Sequence, residues 1–299
     1  MSNAATVSAP LCATADPWPV RPSFTVPFGA CDCHAHVFNA ASQLVPNRVY
    51  TPPDASLESY RHVLQTLGLS RGVIVQPSVY GTDNLATLAA VAEGGENYRA
   101  VVVVNEDVEL HELQDLHAKG ARGARVNALF QSDACLNDVQ RLARTLSDAT
   151  WHLQLLTDVS TIEDLEGFIR GLPVPVVFDH FGHIPAHLDT NHPGFRALLK
   201  LVGEGLAWVK LSGSYRLSAE DRPPYSDVTP FAHALISANP DQLVWASDWP
   251  HPHIRPPMPN DGALLDMLAE WAPSDAIRTQ ILVENPARLY GFDLPKPQE

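Results

Sequence analysis

The strongest constraint on the fold is a repeat of pattern rather than of sequence. From residue 29 onward, short runs rich in β-branched residues alternate with longer stretches whose apolar residues recur every three or four positions, the signature of successive βα units. The strand-like runs fall at 30–33, 72–76, 99–104, 123–126, 152–156, 174–178, 207–211 and 243–246. Helix-like stretches follow at 57–67, 84–93, 109–119, 136–148, 162–170, 195–203, 227–238 and 261–271. Val73-Ile74-Val75 and Val101-Val102-Val103-Val104 are apolar at every position, as parallel strands covered on both faces require. Eight such units predict a single (β/α)8 TIM barrel of the α/β class. A doubly wound open sheet is disfavoured because no Gly-rich phosphate fingerprint follows a strand and polar residues end nearly every strand. Residues 274–290 read as a closing helix and terminal turn, with Asn285-Pro286 ending the helix.

Residues 1–27 carry Pro10, Pro17, Pro19, Pro22 and Pro27 among small residues, which predicts an extended N-terminal arm whose Trp18 and Phe24 pack on the domain. The expected organisation is therefore arm 1–27, barrel 28–293 and tail 294–299. A net charge of -14 argues against nucleic acid or an anionic membrane as partner. Cys12, Cys31, Cys33 and Cys135 are too few and scattered for a disulfide scaffold and read as reduced thiols. With no signal-like apolar run at the start, the expected location is cytoplasmic.

In a barrel the chemistry collects where the strands end. Those ends offer His34 and His36, two residues apart and so on one face of the first strand; Gln76-Pro77-Ser78; Arg125 and Asn127; Asp179-His180; Ser212 through Arg216; and Ser247-Asp248-Trp249-Pro250-His251. A pair of imidazoles can bind a metal or polarise a carbonyl.

The segments Asp32-Cys33-His34-Ala35-His36, Arg71 through Ser78, Gly120 through Asn127, Asp179-His180-Phe181-Gly182 and Trp245 through Pro252 resemble the amidohydrolase superfamily, in its amidohydrolase-related branch of lactonases. The resemblance covers roughly residues 28–291. It implies a hydrolase opening a small acidic lactone, of the pyrone-dicarboxylate or muconolactone kind. Hydrolysis or isomerisation of a sugar lactone is the alternative, with a decarboxylase or a non-catalytic binding barrel behind it.

Metal-dependent members of the superfamily carry a Lys or Glu ending strand four and a His ending strand five. This chain has Arg125 and Asn127 at the first position, and its His152 begins strand five rather than ending it. A binuclear centre is therefore not expected, and the resemblance to the lactonase branch implies that no cofactor is required. The alternative is one zinc held by His34, His36, His180 and Asp248 with an open position. Without a metal, the resemblance implies Asp248 as the base that activates water and His34, His36 and His180 as donors to the lactone carbonyl. Arg125 matches a carboxylate-binding arginine of the branch. Arg216, Arg222, Ser78, Tyr50, Asn127 and His251 complete the expected substrate-binding set. The expected partner is a small-molecule acidic lactone.

Overall fold

The protein, a computed structural model, is described for residues 9–127, 134–254 and 257–294, with the side chains of 134–137 outside that description. Eight parallel strands follow one another around a single sheet: β1 (Cys31–Ala35), β2 (Arg71–Val75), β3 (Tyr98–Val102), β4 (Ala121–Asn127), β5 (His152–Leu156), β6 (Val176–Phe178), β7 (Ala207–Leu211) and β8 (Leu243–Trp245). Helices pack outside them: α1 (Leu57–Leu67), α2 (Leu85–Gly94), α3 (Leu110–Ala118), α4 (Ala134–Asp148), α5 (Leu165–Arg170), α6 (Pro193–Gly203), a short α7 (Ser214–Leu217), α8 (Thr229–Ala238) and α9 (Asp261–Trp271). The architecture is a (β/α)8 barrel.

Local chemistry sets the helix ends. The Ser56 hydroxyl caps α1 by accepting from Ser59 N, and Gly68 ends it at φ +74, where its N–H reaches the Gln65 carbonyl, a left-handed stop that favours glycine. Glu109 and Glu112 form a capping box at α3, and Asn260 caps α9. Along β2 every residue is buried, because helices cover the outside of the barrel and side chains fill its inside.

The terminal segment differs from its sequence reading. Asn285-Pro286 does not end the helix: α10 (Asp275–Thr279) runs through a π turn at Gln280–Glu284 into α11 (Asn285–Tyr290). The π turn re-phases the chain so that Pro286 falls in the first turn of α11, where a missing N–H costs nothing. Asn285 then donates to the Pro240 and Leu243 carbonyls, both at 2.7 Å, tying α11 to the base of β8. Within the arm, Phe24 packs against the core and lies under Arg278, whereas Trp18 is 78 % exposed and does not pack. The Cys12, Cys31 and Cys33 thiols are free. Among the described residues, no helix is long and apolar enough to cross a membrane.

The barrel closes between β1 and the chain just beyond β8. Asp248 N donates to the His34 carbonyl at 2.9 Å and His36 N to the Trp249 carbonyl at 2.7 Å. Below them the buried Asp32 carboxylate accepts from His34 N, Ser247 N, Ser247 Oγ and Tyr60 OH. Burial nonetheless pushes the Asp32 carboxyl up to about 6. Asp32→Ala strands two backbone N–H groups and two hydroxyls, a loss of about 3 kcal/mol. For a chain of this size that is a fall of roughly 6–12 °C in Tm by calorimetry. Tyr60→Phe, which removes one donor, should cost about 1 kcal/mol.

Candidate active site

The seam that closes the barrel also sets the relative positions of His34, His36 and Asp248. His34 and His36 project together from β1. Their Nε2 atoms are 3.3 Å apart, and each lies 3.8 Å from Asp248 Oδ1. His180, just after β6, brings its Nε2 to 3.8 Å from Asp248 Oδ2. All four residues are at least 97 % buried. His180 and Asp248 adopt left-handed backbone conformations, φ 49 and 66, at a cost of about 1–2 kcal/mol each for L residues. Such strain concentrates at functional positions. Gly213, after β7, has no Cβ because one would lie 2.8 Å from His180 Nδ1. That clearance lets His180 Nδ1 meet Ser212 Oγ at 2.9 Å.

Asp248 is tightly held on one side. Arg216 Nε and Tyr215 OH both donate to its Oδ2 at 2.7 Å, leaving Oδ1 turned toward His34 and His36. Burial, the largest single effect, would raise this carboxyl, but the Arg216 guanidinium and the His180, His34 and His36 imidazoles together outweigh it and hold Asp248 well below the usual carboxylate range. Burial has the opposite sign for imidazoles. It takes His180 down to about 3 and His36 to about 4, the latter with help from Arg125, and lowers His34 well below its ordinary value with help from Lys210. Near neutrality the site therefore holds neutral imidazoles around an ionised carboxylate.

A second buried network lies beneath. Asp179 Oδ1 is 3.1 Å from His34 Nδ1, and Asp179 Oδ2 accepts from Arg125 Nε and Gln154 Nε2. The fully buried Lys210 ammonium reaches the Cys33 carbonyl, Gln154 Oε1 and His34 Nδ1 and sits 3.4 Å from Asp179. Against burial, which raises it, His34, Lys210 and Arg125 together hold the Asp179 carboxyl well below its ordinary value.

Above the histidines opens a cavity of about 420 Å³, lined among others by His36, His180, Asp248, Tyr50, Ser78, Arg125, Asn127 and Arg216. The structure thus brings most of the expected site residues together. His34 lies just below the wall, fully buried. Tyr50 stacks on His253 with ring centroids 5.5 Å apart, and burial pushes its phenol up to about 12. Two expected binding residues lie elsewhere. Arg222 is exposed and off the cavity wall. His251 is 0 % exposed behind Tyr215, so it touches the base's support rather than a ligand. Residues 128–133, which follow β4, lie outside the described residues.

Sequence reasoning missed several wall and network residues: Asp179 and Tyr215 as partners, Lys210, Gln154, His183, His253 and Asp261. A lysine inside the apolar run Ala207-Trp208-Val209-Lys210-Leu211 was the available signal, since an ammonium buried at mid-strand needs a carboxylate.

The donor atoms of His34, His36 and Asp248 lie mutually within 4.8 Å, as do those of His34, Asp179 and His180. The 3.3 Å separation of the two Nε2 atoms matches the ligand spacing of about 3.3 Å that tetrahedral zinc with bonds of 2.0–2.1 Å imposes, so the first set fits a single divalent cation by size. His36 Nδ1 meets the Val75 carbonyl at 2.7 Å, which makes it an N–H and leaves a lone pair on Nε2. With a cation bound, His34 would donate from Nδ1 to Asp179 in the same way, the arrangement that steadies metal-bound imidazoles.

A sequence comparison assigns residues 31–292 to the amidohydrolase family. The chain belongs to the amidohydrolase family. This amidohydrolase is 38 % identical to a 4-sulfomuconolactone hydrolase of Rhizobium radiobacter over 90 % of this chain and 92 % of that one. It is 34 % identical to a 2-pyrone-4,6-dicarboxylate hydrolase of Comamonas testosteroni, covering 91 % and 93 %. A D-galactarolactone isomerase of Agrobacterium fabrum shares 32 % identity over 90 % and 93 %. Among solved structures, an apo crystal structure from Agrobacterium tumefaciens superposes with TM-score 0.84 at 31 % identity, covering 92 % of this chain and 100 % of that one.

The Asp179 network makes a stability prediction. Because its folded pKa is lowered, Asp179 contributes stability above the unfolded value of about 4, and this is lost as pH falls through the folded value. Asp179→Asn leaves Lys210 and Arg125 short of a counter-charge and should cost about 3–5 kcal/mol at pH 7. Thermal melts of the two proteins should converge as pH drops below about 4.

Proposed function

We propose that this amidohydrolase opens a small acidic lactone by attack of an Asp248-activated water on the ring carbonyl. One observation carries the reading: an ionised, buried carboxylate is saturated on Oδ2 by Arg216 and Tyr215 and presents Oδ1 to neutral imidazoles at a cavity wall. The names of the relatives, lactone hydrolases at 34–38 % identity over nine-tenths of the chain, support the same reaction class.

The steps follow from donor and acceptor counts. His36 Nε2 carries only a lone pair, so in its neutral form it accepts rather than donates. His34 can take a proton on Nε2 when Lys210 donates to its Nδ1. In the resting site His34 then donates to His36. With a lactone in place, His34 Nε2–H turns to the carbonyl oxygen and His36 accepts from water. Asp248 Oδ1 takes the proton as the water oxygen bonds to the carbonyl carbon. His180, with Nδ1 accepting from Ser212, donates through Nε2 to the oxygen where charge develops. The ring C–O bond breaks, and the proton on Asp248 passes to the leaving oxygen. Arg125 at the cavity wall supplies the cation for the substrate's acidic group.

These residues suffice in the proposed mechanism without an obligatory metal. The buried carboxylates Asp179 and Asp248 already face three fixed cations, Lys210, Arg125 and Arg216, so a dication would enter an enclosure that is already positive. When bound, one held by His34, His36 and Asp248 would supply Lewis-acid polarisation and a more acidic water. A second reading, a sugar lactone as substrate, is favoured by Glu220 and Asp221 on the cavity wall, since carboxylates accept from ring hydroxyls and repel a second acidic group. NMR of the product separates a ring-opened acid from an isomeric ring.

Asp248→Asn, which keeps the shape, should lose on the order of 10²–10⁴ in kcat with an unchanged circular dichroism spectrum. A variant within tenfold of wild type would remove Asp248 as base. With His36 at about 4, His180 at about 3 and Asp248 lowered, kcat/KM for lactone opening should stay level from about pH 5 to 8. An acid limb near pH 6–7 would contradict a site that titrates below about 5.

A further inference from the structure

Behind Tyr215, which holds Asp248, lies a buried pair, His251 and Asp261, that the mechanism above leaves unused. Tyr215 OH lies 2.7 Å from Asp248 Oδ2 and 2.9 Å from His251 Nδ1, and His251 Nε2 lies 3.1 Å from Asp261 Oδ1. His251 and Asp261 are both 0 % exposed. Their placement has separate causes. His251 follows Asp248 in a tight turn, its N–H donating to the Asp248 carbonyl at 2.8 Å. Asp261 is the first residue of α9, where the helix dipole favours a negative charge. Asp261 Oδ2 has no hydrogen-bond partner among the described residues, so the imidazole is the one polar group that the Asp261 side chain meets there.

Counting protons fixes the direction of the chain. A phenol has one proton, and the ionised Asp248 can only accept. With Tyr215 donating to Asp248, the contact to His251 holds only if His251 Nδ1 carries the proton and donates to the phenol oxygen. If Nδ1 were bare, Tyr215 would turn its proton to His251, and two acceptors would face each other 2.7 Å apart. Two states of the pair give a protonated Nδ1: a doubly protonated imidazole against an ionised Asp261, or a neutral imidazole accepting at Nε2 from a protonated Asp261. A neutral imidazole donating from Nε2 to Asp261 leaves Nδ1 bare and is the arrangement the proton count on Tyr215 excludes.

We propose that His251 and Asp261 are positioning residues that hold Tyr215 as a fixed donor to Asp248 Oδ2, so that the electron pair taking up the proton is confined to Oδ1. Arg216 supplies the second donor to Oδ2 and its charge. Tyr215, oriented from behind, supplies direction. A base free to share its proton between two oxygens would present the wrong one to water for part of the time. The inference rests on the lactonase reading for its catalytic consequence, and on geometry alone for the direction of the hydrogen bonds.

Two measurements test it on the full chain. In long-range ¹H–¹⁵N spectra of the labelled enzyme, with His251 assigned by its loss in His251→Leu or by its shift in Tyr215→Phe, Nδ1 should be protonated. An unprotonated Nδ1 overturns the proposal. With 4-sulfomuconolactone and 2-pyrone-4,6-dicarboxylate as substrates, Tyr215→Phe and His251→Leu should each lower kcat by about 10- to 100-fold, the worth of one hydrogen bond to a charged group, with little change in KM. His251→Leu should add nothing in the Tyr215→Phe background, whereas independent losses would mean a merely structural role. Asp261→Asn, whose amide can turn its N–H to Nε2, should retain most activity, and Asp261→Leu should not. Equal losses in both overturn the assigned role of Asp261. If wild type opens neither lactone, the lactonase reading fails, and Nδ1 protonation still decides the direction of the chain.

Discussion

The structure depends on how the barrel closes. Between β1 and the end of β8 the regular ladder gives way to two backbone hydrogen bonds and the Asp32 carboxylate. Those same residues carry His34, His36 and Asp248. Closure and site assembly are therefore one event: the register that lets Asp248 N reach the His34 carbonyl also sets Oδ1 beside both imidazoles. A slip of one residue would turn the histidine pair away from the interior, so the strand pairing specifies the chemistry as well as the fold.

Around that seam the protein places charge where water is excluded. Asp179 and Asp248 are both ionised and both buried, an arrangement that only matching cations make tolerable. Lys210 and Arg125 serve Asp179; Arg216 serves Asp248. The neutral imidazoles between them are kept neutral by the same burial and by the same cations. In the proposed mechanism this fixed field replaces reorganisation of solvent during the reaction, so the carboxylate is prepared as a base before the substrate arrives.

The barrel was legible in the sequence because buried parallel strands leave long apolar runs and amphipathic helices leave a three-to-four spacing. Helices 57–67 and 261–271 begin and end as read, since Ser56, Gly68 and Asn260 are strong boundary signals. The terminal helix was misread because Pro286 is a stop signal only when the α-helical phase is unbroken, and a π turn changes that phase. In the cavity, residues at strand ends were readable from the rule that barrel chemistry gathers there. His183 and His253 were not, because they sit in turns with φ 54 and 57, whose direction no periodicity records. Arg222 and His251 were misplaced for a related reason: well beyond the ends of β7 at Leu211 and β8 at Trp245, the path of the chain decides whether a side chain faces the cavity, the core behind it or solvent. Lys210 left a visible mark, but its partners come from β1, β5 and the end of β6 and could be found only by folding the chain.

The central claim is that three fixed cations and three neutral imidazoles let Asp248 act on water with no metal ion required. It is tested most directly by measuring lactone opening and metal content on the same purified samples, before and after exhaustive chelation. The account predicts undiminished turnover in samples that hold far less than one ion per chain. Turnover that rises and falls in proportion to bound metal would contradict it.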